Sequence, residues 1–81
     1  MGEAVELERL LKDAERQVRD LEARVAHQQT LASELARHGF KGAAAEVLIL
    51  ISTLQDRLRR NRHHAAMMRR GSRGTALLSD E

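Results

Sequence analysis

At 81 residues the chain can form one domain at most, and a chain this short cannot wrap a large core. It is 42% hydrophobic and 32% charged, with Phe40 as its single aromatic, a bias toward helix formers that excludes a strand-rich fold and points to long helices or coiled coil. The formal net charge of +2 hides a division: acids outnumber bases through His38, whereas the seven arginines from Arg57 to Arg73 meet no acid.

Cysteine is absent, so neither a disulfide nor thiol chemistry is available, which fits a reducing compartment. The N-terminus lacks the charged and apolar regions of a signal peptide, and the longest purely apolar run is Val47-Leu48-Ile49-Leu50-Ile51, far short of a membrane span. A cytoplasmic location is expected.

The first arm opens on Glu3 and Glu6, acids suited to the positive end of a helix dipole. Seam residues, all apolar but Gln28, then alternate in four-three spacing: Leu7, Leu11, Ala14, Val18, Leu21, Val25, Gln28, Ala32 and Leu35. This is the heptad pattern of a coiled-coil seam, with Val18 and Val25 at a-type positions and Leu7, Leu21 and Leu35 at d-type positions. Glu8 with Lys12, Glu15 with Arg19 and Asp20 with Arg24 place acid before base four residues apart, each pair favouring helix by roughly 0.2 to 0.5 kcal/mol. The spacing predicts a helix over 3–38, about 50 Å long.

The stretch His38-Gly39-Phe40-Lys41-Gly42 breaks the pattern. Gly39 at C′, with Leu35 at C3 and Phe40 at C″, has the residues of a Schellman stop. A hairpin turn over 39–42 is expected, with Gly39 and Gly42 supplying backbone freedom and Phe40 an apolar peg for the bend.

The second arm is expected over 43–70. It has no Ser, Thr, Asp or Asn cap, so its start depends on glycine, alanine propensity and Glu46 near the dipole. The seam resumes as Ala44, Val47, Ile51, Leu54, Leu58, Asn61, Ala65 and Met68, while Leu48, Ile49 and Leu50 add apolar surface beyond it. Arg69 and Arg70 suit a last turn and Gly71 a C′ position, leaving 72–81 as a flexible tail.

Folding the arms back antiparallel sets Leu35 against Val47, Gln28 against Leu54, Val25 against Leu58, Leu21 near Asn61 and Ala14 against Met68. It also brings Arg57, Arg59, Arg60 and Arg62 opposite Asp20 and Glu22, and Arg69 and Arg70 opposite Asp13 and Glu15, so much of the basic excess finds an internal partner. Gln28 and Asn61 are polar seam residues, which either fix the register or reach to the edge of the seam for water.

Two helices bury one stripe between them, so a second stripe is an association site. Leu10, Leu31, Leu48, Ile49, Leu50 and Ile51 are the candidates, and their natural use is to pair two hairpins into a two-fold four-helix bundle. The arginines Arg59, Arg60, Arg62, Arg69, Arg70 and Arg73 offer a different reading, contact with nucleic acid or another anionic surface. The run carries no interleaved aromatic and no zinc-finger or basic-zipper spacing. A regulator that folds onto a larger protein is a third reading.

Catalytic and metal chemistry find little support. His27, His38, His63 and His64 include no pair four apart on one helix, and Glu34 precedes His38 by four residues rather than by the three of di-iron bundles. Ser33, Ser52, Thr30 and Thr53 lack a neighbouring histidine and acid in nucleophile geometry, and no glycine-rich phosphate loop is present. No catalytic residue, metal or cofactor is expected.

Arg24-Val25, Gln28, Leu31 and Leu35 leading to Gly39, then Leu50-Ile51, Leu54, Leu58, His64 and Met68, resemble a pattern in short uncharacterised helical-hairpin proteins of alphaproteobacteria. The likeness covers Arg24 to Met68 if a short insertion is allowed after the glycine, where those proteins carry a polar His-Asp type loop in place of Phe40-Lys41. It implies a hairpin and a bacterial source, and no established activity. The sequence thus predicts an all-α antiparallel two-helix coiled-coil hairpin that dimerises into a four-helix bundle, a non-enzymatic interaction or scaffolding module whose partner is itself or another helical protein.

Overall fold

Helix-forming residues on both sides of one glycine produce two long helices. A computed structural model describes the backbone of residues 2–79 and the side chains of residues 2–71. Helix α1 spans Gly2–Arg37 and α2 spans Lys41–Ser79, with no strand among the described residues. They lie against each other as a rod with principal extents of 63 × 15 × 13 Å.

The reversal is made by three residues. Gly39 has φ +85°, in the left-handed region where an L side chain is disfavoured. That conformation lets Phe40 N donate to Leu35 O at 2.9 Å and Gly39 N donate to Ala36 O at 3.1 Å, the two bonds of a Schellman motif. The next helix begins at once, since Phe40 O accepts from Ala44 N at 2.9 Å.

This turn is tighter than the sequence suggests. Gly42 is not part of it but lies in the first turn of α2, which starts at Lys41. A Schellman stop needs one residue at positive φ, and Gly39 is the one that has it among the described residues. Phe40 does not peg the bend: it is 60% exposed, because its backbone, held by bonds on both sides, positions it at the tip of the rod.

The core follows the heptad seam. Leu21, Val25, Ala32, Ala44, Ile51, Leu54, Leu58 and Ala65 are buried, and every other residue of the expected seam from Leu7 to Met68 is half-buried. Val18 and Val47 pack against the central cluster. Both helices thus turn one a/d stripe toward each other, as two antiparallel helices with this spacing must. Gln28 and Asn61 are half-buried, and no buried side-chain nitrogen or oxygen among the described residues lacks a partner; the two amides therefore sit at the edge of the seam.

At the far end α2 does not stop at Arg70. It continues through Gly71 to Ser79, so the tail expected over 72–81 is helical as far as Ser79, and Asp80 and Glu81 lie outside the described residues. A glycine ends a helix when it takes positive φ, and Gly71 does not. In ordinary helical geometry it weakens the helix by about 1 kcal/mol relative to alanine, and Ala76, Leu77 and Leu78 that follow are good helix formers.

Candidate interaction surface

In an antiparallel pair of heptad helices, the e positions of one helix flank the e positions of the other, and g positions flank g positions. The hairpin therefore has two unlike flanks. On the e flank Arg62 Nη2 lies 3.7 Å from Glu22 Oε1, and one heptad away Arg69 pairs with Glu15. These are the cross-helix ion pairs that the antiparallel register foretells. Each is partly solvated and contributes modestly, on the order of 0.2 to 1 kcal/mol.

The other arginine ion pairs are local and spaced by three residues, and His38 Nε2 lies 3.7 Å from Glu34 Oε2 at a spacing of four. Glu6 pairs with Arg9, Asp13 with Arg16 at 2.8 Å, Glu34 with Arg37 at 3.3 Å, and Asp56 with Arg59 at 2.9 Å. None of the pairs expected at four-residue spacing (Glu8–Lys12, Glu15–Arg19 and Asp20–Arg24) forms among the described residues. Glu15 instead reaches across to Arg69. Asp13, expected opposite Arg69 and Arg70, turns to Arg16 on its own helix.

The g flank carries the opposite electrostatics. Arg24 of α1 and Arg57 of α2 line one groove together with Gln17, Asp20, Leu21 and Asn61. Neither arginine makes an ion pair among the described residues, and Asp20, the acid that the sequence set against Arg57, makes none either. Two like charges thus face one opening. Sequence reasoning assigned Arg24 to Asp20 and did not set it beside Arg57, although its g position, matched to the g position of Arg57, is the signal that places them together.

The six candidate association residues do not form one face. Ile51 is 5% exposed and belongs to the core, because it falls on the a/d stripe; it is not an available interface residue. Leu31, 39% exposed, and Leu50, 45% exposed, stand on the g flank one heptad nearer the turn than Arg24 and Arg57. Leu48 is on the e flank, Ile49 points directly away from α1 at 68% exposure, and Leu10 is on the g flank but far from the turn. With Phe40 at the tip, the exposed large apolar residues of the turn-proximal third surround the first turns of α2. Val5 and Met67 are exposed as well, outside this patch.

The arginines expected to contact anions also divide. Arg59, Arg62 and Arg69 have acidic partners; Arg60 and Arg70 have none among the described residues, and the side chain of Arg73 lies outside them. No group of three or more His, Asp and Glu side chains among the described residues could hold a metal ion. Thr30 Oγ1 donates to Ala26 O at 3.2 Å and Thr53 Oγ1 to Ile49 O at 3.4 Å, so both hydroxyls bond back to their own helix. No described helix is long and apolar enough to cross a membrane. The chain matches no known protein family, no curated protein and no solved structure.

Proposed function

We propose that this hairpin is a non-enzymatic protein-interaction or scaffolding module that associates with a second copy of itself into a four-helix bundle. The observation that supports this reading is the imbalance in where its apolar surface lies. The core consists of one stripe, with no large side chain fully buried, while Leu31, Phe40, Leu48, Ile49 and Leu50 remain in water at one end. A two-helix unit with so thin a core gains stability from burying that end against another apolar surface. The bacterial cytoplasm suits this reading, since a chain without cysteine needs no oxidising compartment.

Absolute mass by light scattering over a dilution series, with far-ultraviolet circular dichroism on the same samples, tests the proposal. A helical dimer that persists on dilution supports it. A monomer at every concentration overturns it and favours a regulator that meets a different protein partner.

A second reading has its own observation. Arg57, Arg60 and Arg70 lack acidic partners among the described residues, so the distal half of α2 presents cations that could neutralise phosphates of nucleic acid or an anionic surface. Retention on mixed-sequence DNA at low salt, falling steeply as salt rises, is the expected result; no retention at low salt removes this reading.

A further inference from the structure

We propose that two hairpins pair through antiparallel α2 helices with their turn ends overlapped, so that the arginine-rich ends point to opposite poles. This rests on the self-association proposed above and specifies its surface and orientation. The surface is a second heptad seam of α2 on the g flank: Ala43, Glu46, Leu50, Thr53, Arg57 and Arg60 recur at alternating three and four residues, so they lie along one line of the helix.

Three observations select this line. First, its charges are available: neither Glu46 nor Arg57 makes an ion pair among the described residues, whereas Glu15, Glu22, Arg62 and Arg69 on the e flank are paired across the hairpin. Second, its centre is apolar. Leu50 is exposed between Leu31 and Ile49, and the hydroxyl of Thr53 is bonded to Ile49 O, which leaves its methyl group for packing.

Third, the charge order complements itself in one direction alone. In a parallel pairing Glu46 would face Glu46, Arg57 would face Arg57 and Arg60 would face Arg60, which is repulsive at every charged position. In the antiparallel pairing Leu50 of each copy meets Thr53 of the other, and Glu46 of each copy meets Arg57. That carboxylate arrives at the groove that Arg24 and Arg57 share, where two cations have a single acid, Asp20, beside them. The pairing thereby relieves a like-charge juxtaposition within each hairpin and keeps the two basic ends apart. Leu10 and Leu48 lie outside this seam.

Two measurements on the full chain test the geometry. Because the protein has no cysteine, Ala66→Cys provides a single spin-label site at an exposed position of α2 far from the turn. Antiparallel tips separate the two labels by about 40 Å at the helical rise, whereas a parallel dimer holds them within about 20 Å. Glu46→Arg and Arg57→Glu, each acting twice in a symmetric dimer, should raise the dimer Kd about tenfold or more singly, and combining them should restore it. Both sites are exposed, and circular dichroism establishes that each variant keeps its helix content. A dimer with a short label distance, or one whose Kd ignores the single swaps, overturns the orientation while leaving self-association intact. A monomer overturns both.

Discussion

Replacing Gly39 by alanine of either hand isolates what the turn contributes. A Cβ built on Gly39 meets nothing within 4 Å, so neither substitution creates a clash and any effect is carried by the backbone. With φ at +85°, L-alanine is held in a conformation that disfavours it by about 1 to 2 kcal/mol. D-alanine, for which positive φ is the ordinary region, restricts the unfolded chain without straining the folded one and should stabilise by about 0.4 to 1 kcal/mol. In a chain of this size each kcal/mol moves the melting temperature by roughly 4 to 8 °C. The two chains, made by ligation of synthetic segments, should thus melt on opposite sides of the parent in thermal unfolding followed by circular dichroism. All three must be compared at one protein concentration, since association makes Tm concentration-dependent. An L-alanine chain that melts with the parent, or a D-alanine chain that melts below it, would refute the assignment of the reversal to this one residue.

Other outcomes follow from the same structure. Leu54 is the most deeply buried large residue at 4% exposure, and Leu54→Ala should destabilise by about 2 to 3 kcal/mol, the lower part of the usual range, because a core this thin can partly collapse or admit water; urea unfolding reads the loss, and a change under about 1 kcal/mol would mean the seam is not packed there. Gly71→Ala should raise helix content and add about 0.5 to 1 kcal/mol, since Gly71 has helical geometry and a Cβ there meets nothing within 4 Å; a loss of stability would restore Gly71 as a helix stop. Arg62→Gln removes a partly solvated pair with Glu22 and should lower stability by less than about 1 kcal/mol, with the difference vanishing in high salt.

Much of the architecture was legible because one period governs it. Each expected seam residue, from Leu7 through Leu35 and from Ala44 through Met68, is buried or half-buried, and a 3.5-residue repeat leaves little choice about which face turns inward. Leu35, Gly39 and Phe40 announced the Schellman stop for a similar reason: its chemistry is local. What the sequence reading missed depends on the partner helix or on a backbone choice. Glycine is compatible with both stopping and continuing a helix, and Gly39 and Gly71 took opposite courses. The salt bridges expected four residues apart within α1 were misplaced because a long arginine can reach an acid three residues back, or one on the other helix, at similar free energy. The candidate surface was read as one apolar stripe of leucines and isoleucines, yet its division into two flanks, and the groove that Arg24 and Arg57 share, appear once the arms are set side by side.

The 63 Å length of the rod has a consequence for how the protein travels through a column or a solution. Its radius of gyration is 18.3 Å, against about 12 Å for a compact chain of equal length. A single hairpin should therefore elute well ahead of a globular standard of the same mass, where a compact dimer would be looked for, and elution volume alone would report association that has not occurred. Scattering separates the cases by shape as well as by mass. Hairpins lying side by side would thicken the particle at nearly constant length, whereas hairpins overlapped at their tips would draw it out to about 90 Å.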